Sequence, residues 1–251
     1  MTFSSPHPHP PLAIPGVWRA ADLAPHRATT PTGFQALDKA LPGNGWPQAS
    51  LTAVHSPRPG LEWRLLDSAL QAASGHGVVL LVAPPHRPHL GALVAMGVHM
   101  PNLWWVEAPQ THEMAWVVER ALRCTHLAAV LFWPTAAWPR ATWQRLQQAC
   151  ALATATPPPL VFALCHSRAT LHQSRAPLQL ALTSLGAAGL QVAVVKKAGP
   201  PLAHPLVLHA PLAALPSPTG TTQTRSQPAN PTQRHVVDRS HAHAAAHAPT
   251  P

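Results

Sequence analysis

Four uninterrupted apolar runs of strand length constrain this chain more than any other feature: residues 78–83, 103–106, 128–133 and 160–165. A strand with one wet face alternates apolar and polar residues, so a run without alternation predicts a strand covered on both faces, as in a parallel sheet. Helical patterns separate the runs. Over residues 60–74, Leu61, Leu65, Ala69 and Ala72 recur at helical spacing, and a helix over 89–96 is closed by Gly97, a residue suited to the position after a helix end. Thr111 is placed to cap a helix reaching about residue 123, with Met114, Val117, Ala121 and Leu122 inward and Glu119 paired with Arg123, and residues 140–154 supply a fourth helix. This alternation predicts right-handed βαβ crossovers and an α/β fold whose mainly parallel sheet is flanked by helices. Beyond Arg168 the pattern changes, and residues 178–183, 190–197 and 206–209 predict antiparallel strands at the sheet edge.

Composition divides the 251 residues into a Pro/His-rich leader (1–15), a domain (16–210) and a Pro/Thr/Ala/His-rich tail (211–251) whose one acid is Asp238. Leader and tail carry too little apolar surface to offset their ordering entropy and are expected to be disordered. Cys124, Cys150 and Cys165 lie in apolar stretches with neither metal spacing nor a paired framework, which predicts reduced core thiols. No apolar run is long enough to span a membrane, and the first 15 residues lack the apolar stretch of a secretory signal, so a cytoplasmic location without membrane contact is expected. Lys and Arg outnumber Asp and Glu by 17 to 8, a formal charge of +9 that suits nucleic acid or an acidic partner. The excess is scattered as single arginines, with Lys196 and Lys197 the one cluster. Histidine spacings such as His86 with His89 or His241 with His243 lack Cys or carboxylate partners, and neither Ser56 nor Ser167 sits in a nucleophile motif, so neither a metal site nor hydrolase chemistry is expected.

Ahead of the first apolar run stands Thr32-Gly33-Phe34-Gln35-Ala36-Leu37-Asp38, then Leu41-Pro42-Gly43 with Gly45-Trp46-Pro47, and the strand-like Leu51-Thr52-Ala53-Val54. Together these strings resemble the segment that leads into the phosphate loop of RecA recombinases, and the resemblance extends over about residues 30–209. It implies a RecA-like core with nucleotide-binding groups at set positions, and each of those positions holds something else. Where G-x-x-x-x-G-K-[ST] is expected, the chain reads from Ser56 to Gly60 and then Leu61 and Glu62, so Leu61 replaces the phosphate-binding Lys and Glu62 the Mg²⁺-binding Ser/Thr. A carboxylate at that helix start repels a triphosphate. Pro85, in Ala83-Pro84-Pro85-His86, occupies the turn where a catalytic Glu activates water, and Trp133 ends the strand where a Walker B Asp belongs. Glu107 follows a different strand.

Within that superfamily the chain resembles the ImuA family, the SulA-like, RecA-related proteins of bacterial SOS mutagenesis operons. The residues that carry this are Val17-Trp18-Arg19, the two glycine strings above, the segment 80–88, and Val194-Val195-Lys196-Lys197-Ala198-Gly199-Pro200-Pro201. The resemblance implies a non-catalytic, cofactor-free RecA-like adaptor of SOS-induced translesion DNA synthesis. Its partners would be an ImuB-like Y-family-like subunit and an error-prone DnaE-type polymerase or RecA. Two alternatives are a SulA-like cell division inhibitor acting on FtsZ and a divergent RecA-like ATPase. For partner or DNA contact the expected residues are Trp46, Trp138 and Arg140, with Arg168, Arg175, Lys196 and Lys197; Trp143 joins them as an aromatic near a helix start, whereas Trp63, Trp104, Trp105, Trp116 and Trp133, on helices and strands, are expected to pack in the core or against a partner.

Overall fold

A strand buried on both faces needs a helix layer above and below it, and the computed structural model, which describes residues 28–108, 110–134 and 138–210, meets that need. The 1–15 leader, Trp18 and the 211–251 tail lie outside the described residues. Two short strands, β1 (Thr29–Thr30) and β2 (Trp46–Pro47), pair antiparallel around helix α1 (Gln35–Ala40). Then follow β3 (Leu51–His55), α2 (Leu61–His76), β4 (Val78–Val82), α3 (Leu90–Ala95), a 3₁₀ turn, β5 (Leu103–Val106), α4 (Thr111–Ala121), β6 (Leu127–Phe132), α5 (Arg140–Ala151), β7 (Leu160–Cys165), α6 (Arg168–Gln173), β8 (Leu178–Ser184), a second 3₁₀ turn, β9 (Leu190–Lys196) and β10 (Leu206–Leu208).

The eight strands β3 to β10 form one sheet in the order β10-β9-β8-β3-β7-β6-β4-β5. From β8 through β5 every pairing is parallel, with Ala53 opposite Ala163 on one side and Gln179 on the other. Only the β8–β9 and β9–β10 pairings are antiparallel. The apolar runs at β4, β6 and β7 therefore take the predicted place in a parallel sheet, and β6 and β7 are buried along their whole length. Two expectations need correction. β8 runs parallel to β3, because it enters the sheet after the α6 crossover; antiparallel pairing begins one strand later. β5 is an edge strand whose Trp104 and Trp105 face solvent, since a run of apolar residues records composition and not the strand's place in the order.

Each helix covers the sheet through its apolar stripe. α2 buries Leu61, Leu65, Leu66, Ala69, Leu70 and Ala73 against Val79, Leu81, Leu180 and Val192; Ala72, expected inward, is exposed and its neighbour Ala73 takes the core position. On the other face α4, α5 and α6 bury Met114, Val118, Trp143, Leu146 and Leu171 against Val82, Val130, Phe132 and Ala163. α3 ends as the sequence predicts. Gly97 adopts φ +77°, its N–H donates to the Val94 carbonyl (2.9 Å) and the Val98 N–H to Leu93 (3.0 Å), the paired bonds of a Schellman end, with Leu93 and Val98 both in the core. α4 starts at Thr111, so Gln110 is the capping position, and its N–H donates to Glu113 Oε2 (3.1 Å). Glu119 bridges to Arg145 of α5 (3.0 Å) and not to Arg123, which lies past the end of α4.

The two glycine strings have local structural work. The Thr32 N–H donates to Asp38 Oδ1 (2.8 Å) and the Phe34 N–H to Thr32 Oγ1 (3.1 Å), while Gly33, at φ +86°, passes so close to Ser68 of α2 that a Cβ would lie 2.5 Å from its side chain. Trp46 then drives into the core, edge-on to Phe162 of β7 at 5.3 Å between centroids. At the far end of the domain, Arg64 of α2 donates to the carbonyls of Ala210 and Gly186, tying the last strand's exit to the helix. Truncating Trp46 removes the whole anchor of the β1–β2 unit, so Trp46→Ala should lower unfolding free energy by about 3–5 kcal/mol. The midpoint of a urea transition should fall at unchanged slope; an unchanged midpoint would mean that Trp46 is not a packing residue.

Candidate functional site

In an open α/β sheet the crevice for ligands lies beyond the carboxyl ends of the parallel strands. Here the loops after β3, β4 and β6 meet there, and the nucleotide positions anticipated in the sequence are largely brought together. Gly60, Glu62, Pro85 and Trp133 line one small cleft of about 100 Å³, joined by Trp63, His86 and Arg87. Gly60 is the residue before α2 and adopts φ +100°, a left-handed conformation with open space where a side chain would project. Its N–H, a group that would face a phosphate, donates instead to Glu62 Oε2 (3.0 Å), and Glu62 is itself buried. The helix start thus carries its own anion. Leu61 turns into the core beneath, and Ser56 is buried with its hydroxyl donating to the Arg58 carbonyl and its N–H to Cys165 (3.0 Å).

Trp133, immediately after β6, is 1% exposed and tilts against Trp63 of α2 with centroids 6.0 Å apart. Trp63 was not among the residues expected at the site; its place on the helix gave no sign that it would meet Trp133. The cleft wall on the β4 side is Pro84, Pro85 and Pro88, which offer no N–H. A group of three or more His, Cys, Asp or Glu arranged to hold a metal does not occur among the described residues. Glu107 lines a neighbouring cleft of about 270 Å³ with Arg87 and Trp105, not the one under Gly60.

The aromatic contact residues are overturned. Trp46, Trp138 and Trp143 are all buried, Trp138 and Trp143 in a cluster with Phe132 whose centroids lie 4.8–6.4 Å apart. Nearness to a loop in sequence says nothing about depth once the following helix folds back over the sheet. Of the tryptophans expected to pack in the core or against a partner, three lie outside the core: Trp104 is 59% exposed, Trp105 46% and Trp116 58%, with Arg120 over the Trp116 ring at 5.9 Å. Arg140 and Arg168 are exposed at the starts of α5 and α6, and Arg175 meets Lys196, whose Nζ donates to the Arg175 carbonyl (3.2 Å); Lys197 follows Lys196, after β9 has ended.

No protein-family model matches the chain, and no curated protein matches it either.

Two buried groups at the strand ends have shifted protonation. Burial pushes the Cys165 thiol up to about 12, so it is protonated at neutral pH. Cys124, expected in the core, is instead exposed because it falls just past the end of α4, so thiol labelling of the native protein at pH 8 should modify it and spare buried Cys150 and Cys165 until denaturant is added. His55 closes β3 with a buried Nδ1 that has no hydrogen-bond partner. Burial, and next the charge of Arg168, lower its pKa from the usual 6.5, against a smaller opposing bond to the His166 backbone. The unfolded chain then binds a proton that the folded chain refuses, so this part of stability is present above pH 6.5 and is lost progressively as pH falls from there through the lowered folded value. His55→Leu should flatten the fall in melting temperature below that pH relative to the parent; parallel curves would show that His55 does not titrate on unfolding.

Proposed function

We propose that this chain is a non-catalytic RecA-like scaffold acting as an adaptor in SOS-induced translesion DNA synthesis, beside an ImuB-like Y-family-like subunit and an error-prone DnaE-type polymerase. The observation that carries the non-catalytic part is the cleft at Gly60: its amide is taken by Glu62, Trp133 packs against Trp63 in its lining, and beside Pro84, Pro85 and Pro88 the one Lys or Arg that lines it is Arg87, on the loop after β4 and not at the phosphate-loop position, which Leu61 holds. Phosphoryl transfer needs a cation on the phosphates, a carboxylate for Mg²⁺ and a group that orients the attacking water. Leu61, Trp133 and Pro85 stand at those positions and supply none of them. A mainly parallel sheet with antiparallel strands at one edge is the layout that the resemblance to RecA relatives implies, and it supports the scaffold reading. The choice of pathway rests on the resemblance to the ImuA family.

Purified full-length protein should show neither Mg·ATP hydrolysis nor tight Mg·ATP binding by calorimetry. The double change Leu61→Lys with Glu62→Thr should not create turnover, because Trp133 and Pro85 still leave metal and water unserved. DNA-stimulated hydrolysis that vanishes on altering Gly60 would establish the divergent ATPase instead. Tagged protein should retain the ImuB-like subunit in co-purification from damaged cells. Retention of FtsZ without polymerase subunits would establish the division inhibitor.

A further inference from the structure

The charges of this chain are segregated. No Asp or Glu occurs between Glu119 and Asp238, so the described elements from β6 to β10, with α5 and α6, contain basic residues and not one acid. Among the described residues one ion pair forms, Glu119 with Arg145, which leaves Arg175, Lys196 and Lys197 without a carboxylate partner. Two of these converge. Arg175, just past α6 and held at φ +49°, presents its carbonyl to Lys196 Nζ, and both side chains line a cleft of about 570 Å³ with Gln144, Gln147 and Gln179. A second cleft of about 430 Å³ shares Gln144 and Gln147 and continues along α5 to Gln148. The opening exists because α6 is a single short helix lying on β3 and β7, so the adjoining face of β8 is left beside it, where Gln179 at its start pairs with Lys196 at the end of β9.

We propose that this groove between α5 and the β8–β9 ends binds the phosphate backbone of a nucleic acid, without reading bases. Two unpaired cations supply attraction, and the exposed amides of Gln144 and Gln148, each both donor and acceptor, supply hydrogen bonds to phosphate and sugar oxygens, while Gln147 and Gln179 already donate to Ser174. No carboxylate lines either cleft to oppose a polyanion. Of the two rings in the wall, Trp143 is 1% exposed and the other is the exposed imidazole of His172, so the groove offers no exposed Trp, Tyr or Phe as a platform for base stacking or as the anchor on which protein partners depend. That balance favours a phosphate backbone over an acidic peptide. The site lies away from the cleft under Gly60 and does not require the adaptor reading to hold.

The test is fluorescence anisotropy of full-length protein with short labelled DNA, single-stranded in one arm and duplex in the other, across a salt series. Binding should appear in at least one arm, with log K falling linearly as log salt rises. Arg175→Ala with Lys196→Ala should weaken it about tenfold and reduce the salt slope by about two. Gln144→Glu, an exposed isosteric change that cannot disturb the core, should weaken it about threefold or more, whereas Arg87→Glu on the loop after β4 changes net charge further and should alter it less than about twofold. Absence of binding at low salt, equal losses from Arg87→Glu and Gln144→Glu, or unchanged binding by Gln144→Glu would each overturn the proposal. So would displacement of the DNA by poly-glutamate at equal charge concentration, which would mark an acidic-peptide site. Co-purification of polymerase subunits, measured on the same variants, reports on the adaptor reading separately.

Discussion

Everything in this fold depends on covering both faces of the inner strands. β6 and β7 expose nothing, and β3 is buried throughout, so helices must lie on both sides and every connection must cross over. The carboxyl ends of the parallel strands are then the one place where loops from distant parts of the sequence converge. What they hold is decided by how far the apolar character continues. At β6 it continues one residue past the strand, into Trp133, whose ring packs against Trp63 and lines the small cleft at Gly60. A tryptophan buries about 150–250 Å² of surface, on the order of 4–6 kcal/mol of transfer free energy. A ligand seeking that space must displace the ring or leave it and bind elsewhere.

The Glu62 carboxylate completes the same arrangement from the polar side. A helix start leaves its first N–H groups without partners, and an anion there is favourable. In a phosphate-binding loop the anion arrives with the ligand. Here it is two residues along the chain, so the loop's geometry, including the left-handed Gly60, is satisfied by the protein alone. Polar contact shifts instead to the acid-free side of the sheet, where Arg175 and Lys196 meet.

Several parts of this arrangement were legible in the sequence. The apolar runs gave the parallel strands, helical spacing gave α2 to α5 to within a few residues, and Gly97 marked the end of α3 because few residues other than glycine accept its φ of +77°. Motif offsets alone named Gly60, Glu62, Pro85 and Trp133, which the fold brings to one cleft. What the sequence could not convey was strand order and depth. β5 reads like β6 until it is known to be the edge, and Trp46 reads like a surface residue until Phe162, far along the chain, is known to lie against it. Lys196 and Lys197 were visible as a pair, yet the pairing that matters joins Lys196 to Arg175 through a β-bulge and a turn.

The two outer strands carry a consequence for how far this sheet can pair with another copy. Edge strands template intermolecular sheet growth, and many proteins guard them with lysines or inward-pointing charges. Neither β5 (Leu103-Trp104-Trp105-Val106) nor β10 (Leu206-Val207-Leu208) has a charge to spare. Brevity does the guarding: four residues on one side, three on the other, with Pro101 shortly before β5 and Pro205 immediately before β10 removing donors from the approach. Aggregation resistance in a chain so poor in charge is thus set by where its edges stop, and a substitution that let either strand grow longer would threaten solubility before it threatened the fold.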